Sequence, residues 1–352
     1  MGAKQAVNVY QIDPLEDLRW RHFLSEHPSA SVFHTPAWLD ALRRTYGFEP
    51  LVFTTCAPGR ELTNGLVFCR INSRLTGHRL VSLPFSDHCE PLLNGTNDIA
   101  QLLCSLEGHV EKENWKYIEM RPASIYLEGR PGFGKAKGFW FHKIDLRPSR
   151  DELFRSFHRD CVQRKVRRAE REALSCEVGR SESLLQQFYH LLLLTRRRQQ
   201  LPPHPLNWFR NLIGCLGDRI QIRVASKAGQ PVASILTLHY KDVLVYKYGC
   251  SDARFNQFGG TQLLFWRAIQ EAKENGLQEF DLGRSDCDNP GLVTFKDRWG
   301  SSRSTLTYWR CPAPDLETLR PGWTMRVAKQ VLAHMPDGFL AAAGKLLYKH
   351  VA

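Results

Sequence analysis

The order of elements between residues 219 and 282 constrains this chain most. Residues 219–226, 232–240 and 243–248 read as strands, with Gly229 and Lys241-Asp242 in the turns between them, so a three-stranded meander is predicted. Arg254-Phe255-Asn256-Gln257-Phe258-Gly259-Gly260 follows as a loop. Residues 261–275 then predict a helix closed by Gly276, and residues 279–282 a short strand. The first half carries a looser version. Strands are expected at 51–55, 65–71 and 79–83, a helix at 99–111, and strands at 115–120 and 139–146. No residue-level repeat accompanies this repeated order. The fold class it implies is α/β, with mixed sheets and two tandem halves.

Before these elements, Thr35 suits a helix N-cap and Pro36 the first helical position, with Trp38, Leu39 and Leu42 on the apolar face. The middle of the chain differs. Residues 151–174 predict one long helix with Phe154, Phe157, Cys161, Val166, Ala169 and Ala173 roughly along one side. Its other side is basic and includes Arg164, Arg167, Arg168 and Arg171. A second helix over 184–200 ends in Arg196-Arg197-Arg198, cations that oppose the negative end of its dipole. The prolines of 201–205 force a turn or loop, and a short helix resumes over 208–216. The domains expected are 1–150, 151–312 with its basic connecting helices, and an amphipathic helical tail over 313–352. That tail sets Leu332, Met335, Phe339, Leu340, Leu346 and Leu347 beside Lys329, Lys345 and Lys349. It suits packing on the core, or peripheral contact with a membrane through 323–351.

Composition limits the partners. Hydrophobic residues make up 43% of the 352, enough to bury a sizeable core, so wholesale disorder is not expected. The net charge of +12 attracts phosphates. Nucleic acid, nucleotide-linked sugars, coenzyme A and anionic headgroups all fit it, and so does a surface that is simply soluble. The ten cysteines form no C-x-x-C pair, so a metal site is not expected. There is no N-terminal apolar run and no long apolar span, which leads us to expect a cytoplasmic protein.

Two constellations carry candidate chemistry. The first is the loop before Thr261. Glycines at a helix start bring bare backbone N–H groups up to an anion. Arg254, Gln257, Gly259, Gly260 and Thr261 are its candidate donor-binding residues. Their arrangement is similar to the Gln/Arg-x-x-Gly-x-Gly/Ala loop with which GNAT enzymes hold the pyrophosphate of acyl-coenzyme A. Here one residue, not two, separates Gln257 from Gly259, and Arg254 and Asn256 offer other registers. The second runs from Asp281, Gly283, Arg284, Ser285 and Asp286 through Phe295, Lys296, Asp297, Arg298 and Trp299, and is expected to be a polar loop at a strand end.

Four segments in order resemble the FemABX peptidyltransferase group. These are Phe33-His34-Thr35-Pro36-Ala37-Trp38, then Leu83-Pro84-Phe85-Ser86-Asp87 with Pro91-Leu92, then the basic stretch Arg164–Glu172, then Asp281-Leu282-Gly283-Arg284 with Phe295-Lys296. The likeness spans about residues 30–310. It implies two GNAT-like domains and transfer of an acyl or aminoacyl group to an amine of a cell-envelope precursor, in peptidoglycan or polysaccharide biosynthesis. It also implies that Lys296 matches the family's active-site lysine, with Arg298 beside it. Asp87 would sit near the acceptor, and Asp281, Arg284, Ser285, Asp286, Arg164 and Arg168 near substrate. The tyrosine and glycines usual after the leucine–proline–phenylalanine exit are replaced by Ser86-Asp87-His88-Cys89-Glu90, which puts the acceptor contacts in question.

No permanently bound cofactor and no metal is implied. The donor is acyl-coenzyme A or an aminoacyl-tRNA; DNA is not an expected partner, and the oligomeric state is not legible. The alternative reading is a non-catalytic GNAT-fold protein that binds a phosphate-bearing envelope ligand. Adjacent residues of a strand face opposite sides, so Cys89 and His88 are poorly placed to share a proton.

Overall fold

The structure is a computed structural model that describes residues 8–95, 98–124, 127–314 and 337–350. The chain divides into two compact units. One is drawn from Met1–Gly138, Leu306–Arg320 and Tyr348–Ala352, the other from Phe139–Thr305 and Pro321–Leu347.

The first unit opens with β1 (Tyr10–Ile12) and α1 (Leu18–Glu26). α2 (Pro36–Tyr46) starts where the sequence expects it. Thr35 caps it through the Trp38 N–H, Pro36 takes the first position, and Gly47 closes it in the left-handed region. Trp38, Leu39 and Leu42 are fully buried. Then come β2 (Glu49–Thr54), β3 (Asn64–Ser73), β4 (Gly77–Val81), the two-residue β5 (Leu92–Leu93), α3 (Asp98–Lys112) and β6 (Tyr117–Met120). β1 to β4 pair antiparallel in sequence order, and β6 lies parallel to β4 with Val81 opposite Glu119. Phe53, Phe68, Leu80, Leu102, Leu106 and Ile118 form the core beneath α3.

The second unit starts with β7 (Gly134–Asp145), most of which belongs to it. The single helix predicted over 151–174 is broken. α4 (Arg150–Ser156) is fixed at its start by a reciprocal cap between Ser149 and Glu152. Phe157 then turns extended and buries its ring against Trp266 and Trp299. His158 restarts the chain by accepting from the N–H groups of Asp160 and Cys161, a wide turn covers Arg159–Gln163, and α5 is Arg164–Arg171. Burial of an aromatic ring outweighs helix continuity here. β8 (Ser175–Gly179) was not foreseen; α6 (Glu182–Arg198) and α7 (Leu206–Leu216) were.

β9 (Ile220–Lys227), β10 (Gln230–Tyr240) and β11 (Val243–Ser251) form the expected meander, followed by α8 (Gly260–Glu274) and β12 (Glu279–Asp286). β8 pairs antiparallel with β9, and β12 lies parallel to β11 and antiparallel to β7. The polar loop expected after residue 282 is instead the rest of β12 and a helix, α9 (Pro290–Asp297). Asn289 caps α9 and Pro290 opens it, the same cap-and-proline signature as in α2. β13 (Ser302–Cys311) ends the ordered sequence of strands, and its Trp309–Cys311 stretch pairs with β6. α10 (Asp337–His350) covers part of the predicted tail; Lys329, Leu332 and Met335 lie outside the described residues. Each unit thus holds three antiparallel strands, a helix, and a strand parallel to the third.

His34 reports on the packing of the first unit. Its Nε2–H donates to the Glu90 carbonyl at 2.9 Å, and its Nδ1 accepts from the Ser31 N–H at 3.1 Å. Burial pushes its pKa down to about 4. Unfolded chains therefore bind a proton here between pH 6.5 and 4 that folded chains do not, so stability falls as pH drops through that window. The loss attributable to His34 is on the order of 3 kcal/mol. Urea unfolding at pH 7 and pH 4.5 should show a shallower pH dependence for His34→Gln than for the parent; equal slopes would contradict this.

Candidate functional site

β11 and β12 pair only at their first residues, Val243 with Glu279, Leu244 with Phe280 and Val245 with Asp281. They then part. β11 continues against β10 as far as Ser251, and β12 turns to β7, with Gly283 opposite His142 and Asp286 opposite Phe139. Both strands bend at the split. β11 carries one extra residue, Lys247, between Tyr246 and Tyr248, and β12 shifts register between Asp281 and Gly283. The buried Asp281 carboxylate closes the second irregularity by accepting from the Gly283 N–H at 2.6 Å.

A cavity of about 280 Å³ opens on the β11 side of this split. Its walls are Tyr246 and Gly249 of β11, Val232 and Ala233 of β10, the first residues of α8, and Leu292 and Phe295 of α9. Lys165 of α5 and Arg198 of α6 are its cationic lining residues, and no carboxylate lines it among the described residues. The first turn of α8 has no side-chain cap, because its N-cap is Gly259, so the N–H groups there present partial positive charge. The cavity therefore favours an anion at one end. Along β11 it is more apolar, and burial pushes the Tyr246 phenol up from its ordinary pKa.

Two glycines are sterically required. A Cβ on Gly249 would stand 1.8 Å from the Tyr246 Oη. Gly259 has φ +78°, and a Cβ there would stand 2.4 Å from the Lys165 carbonyl oxygen. The close backbone approach that the sequence suggests at Gly259 is thus an approach to α5.

The donor-loop residues divide accordingly. Gly260 and Thr261 line the cavity, joined by Asn256 and Gln262. Arg254, Gln257 and Gly259 do not line it; Arg254 reaches back to Asp252, with its Nη2 at 2.6 Å. On α5, Arg164 pairs with Asp160 at 3.0 Å and the Arg168 guanidinium lies 5.9 Å from the Phe258 ring, while Lys165 between them faces the cavity. Tyr246 and Gly249 were not singled out from sequence, where the only signal was a glycine inside an otherwise β-rich run; Lys165 and Arg198 were read only as parts of the basic stretches 164–172 and 196–198.

Lys296 is 2% exposed, and its Nζ donates to the Gly283 and Arg284 carbonyls at 2.9 and 2.8 Å. It pins α9 to the stretch of β12 that has left β11. Next to it, the buried His142 sets Nε2 3.2 Å from the Asp297 Oδ1, and burial and the Lys296 charge push its pKa down. Arg284 stacks on Phe139, with 4.2 Å to the ring centre. Ser285 is buried and Asp286 half-buried at the end of β12, and the Arg298 side chain is exposed.

Asp87 belongs to the first unit, and its carbonyl accepts from the Tyr308 hydroxyl at 2.7 Å. In that unit the exit from the parallel pair β4/β6 is filled by charge. The buried Arg121 donates to the Glu119 carboxylate at 2.8 and 2.9 Å and to the Leu83 carbonyl at 2.6 Å. Arg310 holds the other carboxylate oxygen of Glu119 at 2.8 Å. Cys89 is buried with its thiol pushed up to about 12 by burial, and lies 3.5 Å from His34. A thiol held protonated this way is no nucleophile.

The fit between Tyr246 and Gly249 is testable. Gly249→Ala should cost about 1–3 kcal/mol, because the phenol must leave its place. Adding Tyr246→Phe should recover part of that loss in a double-mutant cycle. Strict additivity would show that the two residues do not compete for the same space.

A family description, the acetyltransferase (GNAT) domain, matches residues 156–296. No curated protein matches the chain. Among solved structures, FemX is similar with a TM-score of 0.66 at 14% identity, over 93% of this chain and 100% of that one. The C-terminal domain of an Agrobacterium fabrum protein provisionally named a lysylphosphatidylglycerol synthetase is similar at TM-score 0.56 and 13% identity, over 90% and 96%. A tandem GNAT protein from the clavulanic acid biosynthesis pathway is similar at 0.55 and 10%, over 88% and 99%. Matches this remote in sequence speak for the fold. The chain therefore has the FemAB-like tandem GNAT fold, with a GNAT domain across residues 156–296.

Proposed function

We propose that this chain is an acyltransferase that moves an acyl or aminoacyl group from a phosphate-bearing donor onto an amine of a cell-envelope precursor or polysaccharide building block. The observation that carries the reading is the split between β11 and β12, with its cavity at the bare N-terminus of α8. An edge of β11 freed from its parallel neighbour offers backbone groups to an extended acyl chain. The helix start with Lys165 and Arg198 offers positive charge to a phosphate. The fold shared with FemX and the provisionally named lysylphosphatidylglycerol synthetase supports the envelope side of the reading.

In this reading the phosphate lies against Thr261 and Gln262, and the acyl arm runs past Gly249 and Tyr246. The acceptor nitrogen attacks the acyl carbonyl, its proton leaves to water, and the donor's thiol or hydroxyl departs. Positioning and charge stabilisation supply the rate, so no strong protein base is needed. Lys296 acts at one remove. Buried and bonded to two carbonyls of β12, it holds the strand that defines the far side of the split, and it is a positioning residue here. Arg298, exposed just past the end of α9, is the proposed acceptor contact.

Titration with acetyl-coenzyme A and with an aminoacyl-tRNA, each at low and high salt, tests the reading. The donor should raise the melting temperature by mass action. Thr261→Glu puts a carboxylate at the first turn of α8. That suits the helix dipole but repels phosphate, so the variant should keep its own melting temperature and bind the donor at least about tenfold more weakly. A steep salt dependence would identify the tRNA donor. No shift with either donor would sink the proposal.

A further inference from the structure

The C-terminal helix α10 turns a mixed apolar and cationic face outward. Its inward side is marked by Gly344, which is buried so closely on the 201–205 loop that a Cβ there would stand 1.9 Å from the Pro203 carbonyl. Phe339, Ala342, Leu346 and Lys349 recur at helical spacing on the outer side, and all four are exposed. Phe339 is 66% and Leu346 69% exposed. Lys345 flanks them and is exposed as well.

We infer that this face lies on a bilayer surface carrying anionic lipid. Phe339 and Leu346 would enter the headgroup boundary, and Lys345 and Lys349 would meet the lipid phosphates. Charge selects this occupant. A second copy docked face to face would gather the lysines of two such helices into one contact, whereas an anionic surface neutralises them. No helix of the described residues is long and apolar enough to cross a membrane, so the contact is one of lying on the surface. The inference is independent of the donor reading, since none of its residues lines the cavity at α8.

Flotation of the full chain with phosphatidylcholine vesicles, with and without phosphatidylglycerol, tests it. The protein should float with the anionic vesicles, stay in solution with the neutral ones, and be released by high salt. Phe339→Glu with Leu346→Glu should cut the bound fraction about tenfold and leave the melting temperature unchanged, since both side chains are exposed. Failure of the parent chain to float, equal flotation with neutral vesicles, or unchanged flotation of the variant would overturn the inference. So would a dimer in sedimentation velocity that the α10 substitutions dissolve, which would give the face to a second copy.

Discussion

Backbone pairing decides where this protein can bind anything. A parallel pair joined by a helix normally runs its length with each N–H and C=O engaged. Here β12 keeps β11 for three residues and then takes β7 as its partner instead. The change succeeds because its polar groups are accounted for. Asp281 receives the Gly283 N–H, and the Lys296 ammonium serves the Gly283 and Arg284 carbonyls. What remains is an open edge on β11 facing the start of α8, in a wall with cations and, among the described residues, no carboxylates.

The two units use the same element order to different ends. In the second, the end of the parallel pair gives onto a cavity. In the first, the equivalent end of β4 and β6 is occupied by Arg121, Glu119 and Arg310, a buried charge network tied to the Leu83 and Ser86 carbonyls. A buried arginine with a full set of partners is costly to remove and leaves little room for a ligand. The sequence hints at this asymmetry only through its looser first half. An alternation pattern records which residues are buried; it does not record whether a buried arginine seals a gap.

Much of the fold was legible because caps and periods are local signals. Thr35-Pro36 fixed α2, Gly276 the end of α8, and the turns at Gly229 and Lys241 the meander. The misses are places where tertiary contact overrules local preference. Phe157 breaks a helix to reach Trp266 and Trp299. The polar run after residue 282 looked like a loop because its charges are prominent. Its apolar partners, Phe139 for Arg284 and the core around Trp299, come from elsewhere in the chain. The donor loop was half legible. Gly260 and Thr261 reach the cavity, but Lys165, Arg198, Tyr246 and Gly249 meet there through packing that no spacing rule encodes.

Hydrogen–deuterium exchange with and without bound donor tests the central claim most directly. If the donor lies on the freed edge of β11 with its phosphate at α8, amides in residues 249–251 and 260–262 should gain protection. Those beside the sealed gap, around residues 82 and 121, should not change. Protection confined to other segments, with both of these stretches unchanged, would contradict the account.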